Sequence, residues 1–157
     1  MAARFEYAQA EEIKAAFARH GVRYLFLGKS GAILLGFPDT TQDADLFVEK
    51  SPGNGEALCA ALDELGFVLT EERANEIRRG KDFVQLKDGP FDLDLIFAPD
   101  GIESFDDAWR RRVEVEGFPV CHPDDIIRSK VAANRRKDLE SLPRLRAFRD
   151  YWARTKA

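Results

Sequence analysis

Three aspartates have the residue type and spacing to hold a metal ion. Asp43-Ala44-Asp45 opens the apolar run Ala44–Val48 (ADLFV). In an extended strand alternate side chains share a face, so Asp43 and Asp45 fall together while Ala44 and Leu46 point the other way. Like charges on one face repel, a divalent cation removes the repulsion, and hard carboxylate oxygens suit Mg2+ or Mn2+. The plainer alternative is a solvated strand edge, where charge discourages aggregation. A second Asp-x-Asp shifts the balance, because Phe91-Asp92-Leu93-Asp94-Leu95-Ile96-Phe97 sets Asp94 inside an apolar strand. A carboxylate buried there needs a partner or a metal. If the two strands are neighbours, their carboxylates converge into the set that two-metal phosphoryl or nucleotidyl transfer uses, with ions roughly 3.5–4 Å apart. The third carboxylate is then available as a general base.

Gly28-Lys29-Ser30-Gly31 lies at an expected strand-to-helix turn. Glycine lets a phosphate approach the backbone, and free N–H groups at a helix start attract anions. Lys29 and Ser30 add a charge and a hydroxyl. A tight packing turn is the structural alternative. The letters Gly-Lys-Ser do not make a P-loop, because the first glycine of GxxxxGK[ST] falls at Arg23. His20, His122, Cys59 and Cys121 lack zinc-site spacing, and no Ser/Cys/His grouping suggests a hydrolytic triad.

The elements that must position these residues follow from periodicity and turn chemistry. Residues 8–20 show helical spacing and end at Gly21; Arg23–Leu27 is a buried strand; Ala32–Leu35 is a short helix; Phe37–Gln42 is a loop. Ala44–Val48 is a strand, Ser51–Gly55 a loop, and Glu56–Leu65 a helix stopped by Gly66. Phe67–Thr70 is expected as a short strand, and Glu71–Arg79 is ambiguous. Phe83–Lys87 and Phe91–Phe97 are strands joined by Asp88-Gly89-Pro90. Ser104 caps a helix to Arg111, and Val113–Val120 forms a hairpin at Gly117. Pro123 opens a long helical region with Asp124 and Asp125 in its first turn, and Pro143 is expected to split that region in two. Arg135 and Asp138, three apart, are able to pair. The expected fold is α+β, a small mixed sheet with helices on one side: a core over residues 1–122 and a helical segment over 123–157 packed on it.

Composition bounds the rest. The chain has 157 residues, enough for one domain with a moderate core. Its N-terminus lacks the apolar run of a secretory signal, no stretch approaches the roughly 20 apolar residues that span a bilayer, and two cysteines make no disulfide framework. The expected setting is the reducing cytoplasm. Net charge is −4, unevenly spread: residues 1–122 hold 14 Lys and Arg against 23 Asp and Glu, residues 123–157 hold 10 against 5. A basic segment on an acidic body suits a polyanion such as a triphosphate or RNA, or is a solvated helix face.

In this order the segments resemble the polymerase-beta-type nucleotidyltransferase superfamily, particularly its small bacterial branch of abortive-infection-type toxins and antibiotic-modifying enzymes. LFLGKSGAILLG matches the strand, phosphate turn and short helix; TQDADLFV matches T-x-D-x-D; FDLDLIF supplies the later aspartate; and DDIIRSKVAANRRKDLESLPRL resembles the K-x4-R-x-K-D helix, with Lys130, Arg135, Lys137 and Asp138. The likeness spans about residues 21–145. It implies transfer of a nucleoside monophosphate from an NTP to an acceptor hydroxyl. Asp43, Asp45 and Asp94 would be both metal ligands and catalytic residues, and Gly28, Lys29, Ser30, Thr41 and Lys130 would bind nucleotide. Two positions depart from the family pattern. Lys29 stands where Gly or Ser is usual, either adding a phosphate ligand or blocking close approach, and Asp39 replaces a common loop arginine.

Two other readings remain open at this level. One is a catalytically weakened nucleotide-binding or protein-interaction module of the same fold, such as a toxin–antitoxin component. The other is a structural α/β domain with acidic surface charge. The acceptor is not legible: a small molecule, a tRNA end, a protein side chain and another nucleotide all fit. The short chain leaves little room for an acceptor domain, so a homodimer or partner chain is expected to complete the cleft.

Overall fold

The computed structural model describes residues 5–156; residues 1–4 of the N-terminal segment and residue 157 lie outside it. The elements run α1 (Tyr7–His20), β1 (Tyr24–Leu27), α2 (Gly28–Leu34), β2 (Ala44–Val48), α3 (Pro52–Leu65), α4 (Glu71–Arg79), β3 (Phe83–Leu86), β4 (Leu93–Ile96), α5 (Phe105–Arg111), β5 (Val113–Val115), β6 (Phe118–Val120), α6 (Pro123–Ala133) and α7 (Arg136–Lys156). The strands form one mixed sheet in the order β3-β4-β2-β1-β6-β5, and the fold is α+β. Among the described residues no helix is long and apolar enough to cross a membrane.

The sheet is covered on both faces, not on one as expected. Tyr24, Phe26, Leu46, Val48, Leu93 and Leu95 pack with α1 and α3 on the first face. Leu25, Leu27 and Phe47 pack with Phe105, Ile126, Ile127, Leu142 and Leu145 on the second. The segment from residue 123 onward therefore shares a core with the sheet. A strand buried on both faces reads as a continuous apolar run, which is what Leu46-Phe47-Val48 and Leu93–Ile96 are, save for Asp94.

Local chemistry sets most boundaries. Gly21, Gly66 and Gly80 end α1, α3 and α4 in the left-handed conformation. Ser51, Thr70 and Ser104 accept the backbone N–H groups of Asn54, Arg73 and Asp107 at the starts of α3, α4 and α5. Three expectations need correction. The loop expected over Ser51–Gly55 is mostly the first turn of α3, since the Ser51 cap and Pro52 at its first position start the helix earlier. Phe67–Thr70 is not a strand: Phe67 is buried against Phe91, but Val68 is 95% exposed, and Thr70 serves as a cap. Pro143 does not split the C-terminal region. The break comes at Asn134, whose φ of 55° ends α6, and Pro143 lies inside α7. Its missing N–H would have bonded the Leu139 carbonyl. Both residues are exposed, so water can serve that carbonyl, and burial of Leu142 and Leu145 holds the helix together.

Candidate active site

Strand register brings two of the three aspartates together. β2 and β4 are parallel neighbours in which Asp45 is the partner of Asp94. Adjacent strands lie about 4.8 Å apart, and both side chains point to the second face. Asp94 is 7% exposed, and its Oδ1 is buried without a hydrogen-bond partner. Burial and the neighbouring Asp94 carboxyl push Asp45 well above the ordinary carboxylate range. Burial and the Asp43 charge raise Asp94 as well. Two carboxyls facing each other in a partly dry site do not both ionise readily, and Asp45 is the one pushed furthest towards keeping its proton.

The turn after β1 is shaped around this pair. Gly28 has φ of 62°, and a Cβ there would overlap the Asp45 carboxylate, so glycine is required on both counts. The helix starts at Gly28 itself, within the stretch expected as a turn, and Ala32–Leu34 fill its end. Ser30 is fully buried; its hydroxyl donates to the Leu27 carbonyl at 2.9 Å and accepts the Asp45 N–H at 3.0 Å. It clamps β1, α2 and β2 together, and its side chain is not offered to the cleft. Lys29 forms an ion pair with Asp39 at 3.3 Å, and Asp39 also meets Arg144 at 3.3 Å. The two departures from the family pattern thus pair with each other.

A cleft of about 160 Å3 opens over the carboxylates, lined by Gly28, Lys29, Thr41, Asp43, Asp45 and Asp94 on the sheet side. Its far wall is one stripe of α6, Ile126, Ser129, Lys130 and Ala133, followed by Arg135, Lys137 and Ser141. Lys130 is 13% exposed at its side chain and sits 3.4 Å from Asp138, with burial lowering its pKa. Asp138 is fully buried, and Arg135 reaches it at 2.7 Å and 3.2 Å, the pairing expected from their spacing.

Asp43 shares the cleft but does not join the pair. Its Oδ1 lies 3.5 Å from Lys87 Nζ, a lysine just past β3 that also lies 4.0 Å from Asp92. Among the described residues no three His, Cys, Asp or Glu side chains gather into a metal-ready group. The expected three-carboxylate convergence is therefore a close pair plus a third group held by a lysine. Sequence reasoning missed Lys87, Ser129 and Ala133. The last two were discoverable, since 126, 129, 130 and 133 mark one helix face. Lys87 was not, because its role depends on which strand β3 pairs with. Compared with known proteins, the chain matches no family model and no curated sequence.

A divalent cation fits the Asp45–Asp94 pair on two observations: the unpartnered Asp94 oxygen and an all-oxygen donor set lining the cleft. Asp43, whose Oδ1 meets Lys87, lines the same cleft and would be the third oxygen donor.

Proposed function

We propose that this chain is a metal-dependent nucleotidyltransferase that moves a nucleoside monophosphate from an NTP to an acceptor hydroxyl. The observation that carries the reading is a cross-strand carboxyl pair, buried Asp94 with an unsatisfied oxygen and half-buried Asp45, facing the largely buried Lys130 across a cleft. Carboxyls whose pKa is raised by burial cost stability, so a facing pair of them in a cleft supports a working site. Mg2+ or Mn2+ held by Asp45 and Asp94, with Asp43 as third ligand, would polarise the phosphoryl oxygens and make the acceptor hydroxyl more acidic.

The chain's own residues do the rest. Lys130 and Lys29 offer positive charge to the phosphates, and Gly28 and Thr41 line the same part of the cleft. Ser30 contributes by holding the turn, not by its hydroxyl. The Asp94 carboxylate oxygen not held by the cation would take the acceptor's proton as the acceptor oxygen bonds to the α-phosphorus and the bond to the departing pyrophosphate breaks. Arg135 and Asp138 orient the helix that carries Lys130. A reducing cytoplasmic setting, a separate acceptor and completion of the cleft by a homodimer or partner chain belong to the same reading.

A second reading, a nucleotide-binding or protein-interaction module without turnover, draws on the ion pairs at Lys29 and Lys130, which neutralise part of the charge meant for phosphate. Incubation with each labelled NTP, Mg2+ and cell extract separates the two. Pyrophosphate release with a labelled acceptor supports transfer, Mg2+-dependent binding without release supports the module, and neither outcome leaves only a structural domain.

A further inference from the structure

The cleft does not end at the carboxylates. A second cavity of about 370 Å3 continues from it along β3 and β4, and Phe83, Ile96, Ser129, Ala133 and Arg135 line both. Phe83 is the odd residue in this region. The strand phenylalanines Phe26, Phe47 and Phe118 are 2% exposed or less, whereas Phe83 is 48% exposed on the edge strand β3. Its partner across the ladder is Ile96, two residues beyond Asp94 and on the same face. At about 3.3 Å per residue the ring's register position is roughly 7 Å along the strand from the carboxylates.

We propose that Phe83 is the stacking platform for the nucleobase of the donor nucleotide. The inference rests on the transfer reading above and adds where the nucleoside lies. The lysines suited to phosphate, Lys29 at the start of α2, Lys130 towards the end of α6 and Lys137 at the start of α7, line the first cavity and not the second. A triphosphate drawn to that end leaves its nucleoside pointing along the trough towards β3. What meets it is a flat uncharged ring beside Ile96, Ala98 and Ala133, with Arg135 on the α7 side. Every nucleobase has a π-face, so such a platform binds bases with little selectivity among them, while an adjoining guanidinium adds a cation–π contact. The donor preference is accordingly broad, and discrimination among NTPs is weak.

The test compares two ligands on four proteins. Calorimetric titration of Mg·ATP and of Mg·tripolyphosphate is run on the natural protein and on Phe83→Ala, Phe83→Leu and Phe83→Trp, each checked for an unchanged thermal midpoint. The expected result is that Phe83→Ala and Phe83→Leu weaken ATP at least roughly five-fold, Phe83→Trp retains or strengthens it, and tripolyphosphate affinity stays constant in all four. Unchanged ATP affinity in Phe83→Ala overturns the proposal and assigns the ring to the acceptor or to solvent. A parallel loss of both ligands also overturns it, because the ring then only supports the sheet edge. If the natural protein binds neither ligand, the transfer reading itself has failed, and this proposal with it.

Discussion

Asp94 and Asp138 are both buried aspartates beside one cleft, and their surroundings are opposites. Asp138 sits where α6 gives way to α7 and is met by Arg135, by Lys130 and by the Arg135 backbone N–H at 3.3 Å. Burial alone would raise its pKa, but Arg135 and Lys130 hold it below the ordinary value. Asp94 faces another carboxyl, keeps an oxygen without a partner, and is held above the ordinary value. A third buried aspartate, Asp125, follows the Asp138 pattern, clamped by Arg111 at 2.9 Å and Arg128 at 2.6 Å. The fold thus has the means to neutralise a buried carboxylate and does so twice outside the strand pair. Burying a carboxyl without a cationic partner is expensive, so two carboxyls left facing each other bring the fold no stability, which is what the proposed ligand role would require.

Exchanging one residue on each side breaks the comparison most directly. Asp94→Asn removes the group assigned to take the acceptor's proton, so turnover is expected to fall by roughly 10^2- to 10^4-fold, the usual worth of a general base. The same change relieves repulsion, so metal-free stability is expected to hold or rise. Pyrophosphate release and urea unfolding measured on one preparation check both halves. A variant that keeps its activity, or that unfolds more easily, removes the functional reading of the pair.

Asp138→Asn is expected to do the reverse. Breaking a buried ion pair from one side costs about 3–5 kcal/mol. The lower end applies here, because the Arg135 side chain is 59% exposed and regains water when released. Urea unfolding should therefore show a loss of about 3 kcal/mol, with residual turnover in the folded fraction. Equal stability would mean that the α6–α7 junction is held by its apolar contacts alone.

Acidity sharpens the contrast, because the two centres carry opposite signs. The depressed Asp138 contributes stability that is present above the ordinary carboxylate pKa and lost as pH falls through its lower folded value. The raised pair works the other way. Between pH about 4 and neutrality the native state holds protons that the unfolded chain has released, so stability falls as pH rises. With EDTA present, the unfolding free energy from urea titration is expected to drop by on the order of 1 kcal/mol from pH 5 to 7.5, and Mg2+ should remove most of the drop. Asp94→Asn should flatten the metal-free profile. A flat profile in the natural protein would mean that neither carboxyl is held above its unfolded value.

Much of the carboxylate side of the site was legible in the sequence, and much of the cation side was not. Alternation within ADLFV and FDLDLIF located two strands and the face of each aspartate, because side-chain direction in a strand is local information. The same runs also implied cover on both faces, a consequence that went unread. The helix α4 was ambiguous because only Ala74 and Ile77 of its nine residues are buried, although Thr70, Glu71-Glu72 and Arg78-Arg79 are a cap and dipole-matched ends. Pro143 misled because a proline's cost depends on whether its orphaned carbonyl faces water, which is a tertiary fact. The Lys87–Asp43 and Lys29–Asp39 pairs join residues 44 and 10 positions apart, and no local pattern encodes them.

The Lys29–Asp39 pair offers the finest test, because it stands between the two kinds of centre. Lys29 lines the cleft, where a phosphate would want it, yet it is tied to Asp39, which Arg144 also engages. Both side chains are partly exposed, 29% and 19%, so the pair contributes little to stability, about 0–1 kcal/mol. Its consequence is for binding: phosphate must compete with a carboxylate for the same ammonium. Asp39→Asn removes that competitor and leaves Lys29 in place, so Mg·ATP is expected to bind a few-fold more tightly. Lys29→Ala should weaken it by a similar factor, and in the double variant the gain from Asp39→Asn should vanish. Titration across this cycle isolates the coupling. If Asp39→Asn tightens ATP equally with and without Lys29, the loop carboxylate repels the nucleotide on its own account and Lys29 is no phosphate ligand. If Lys29→Gly tightens ATP where Lys29→Ala does not, the side chain obstructs the turn, and the phosphates rely on Lys130.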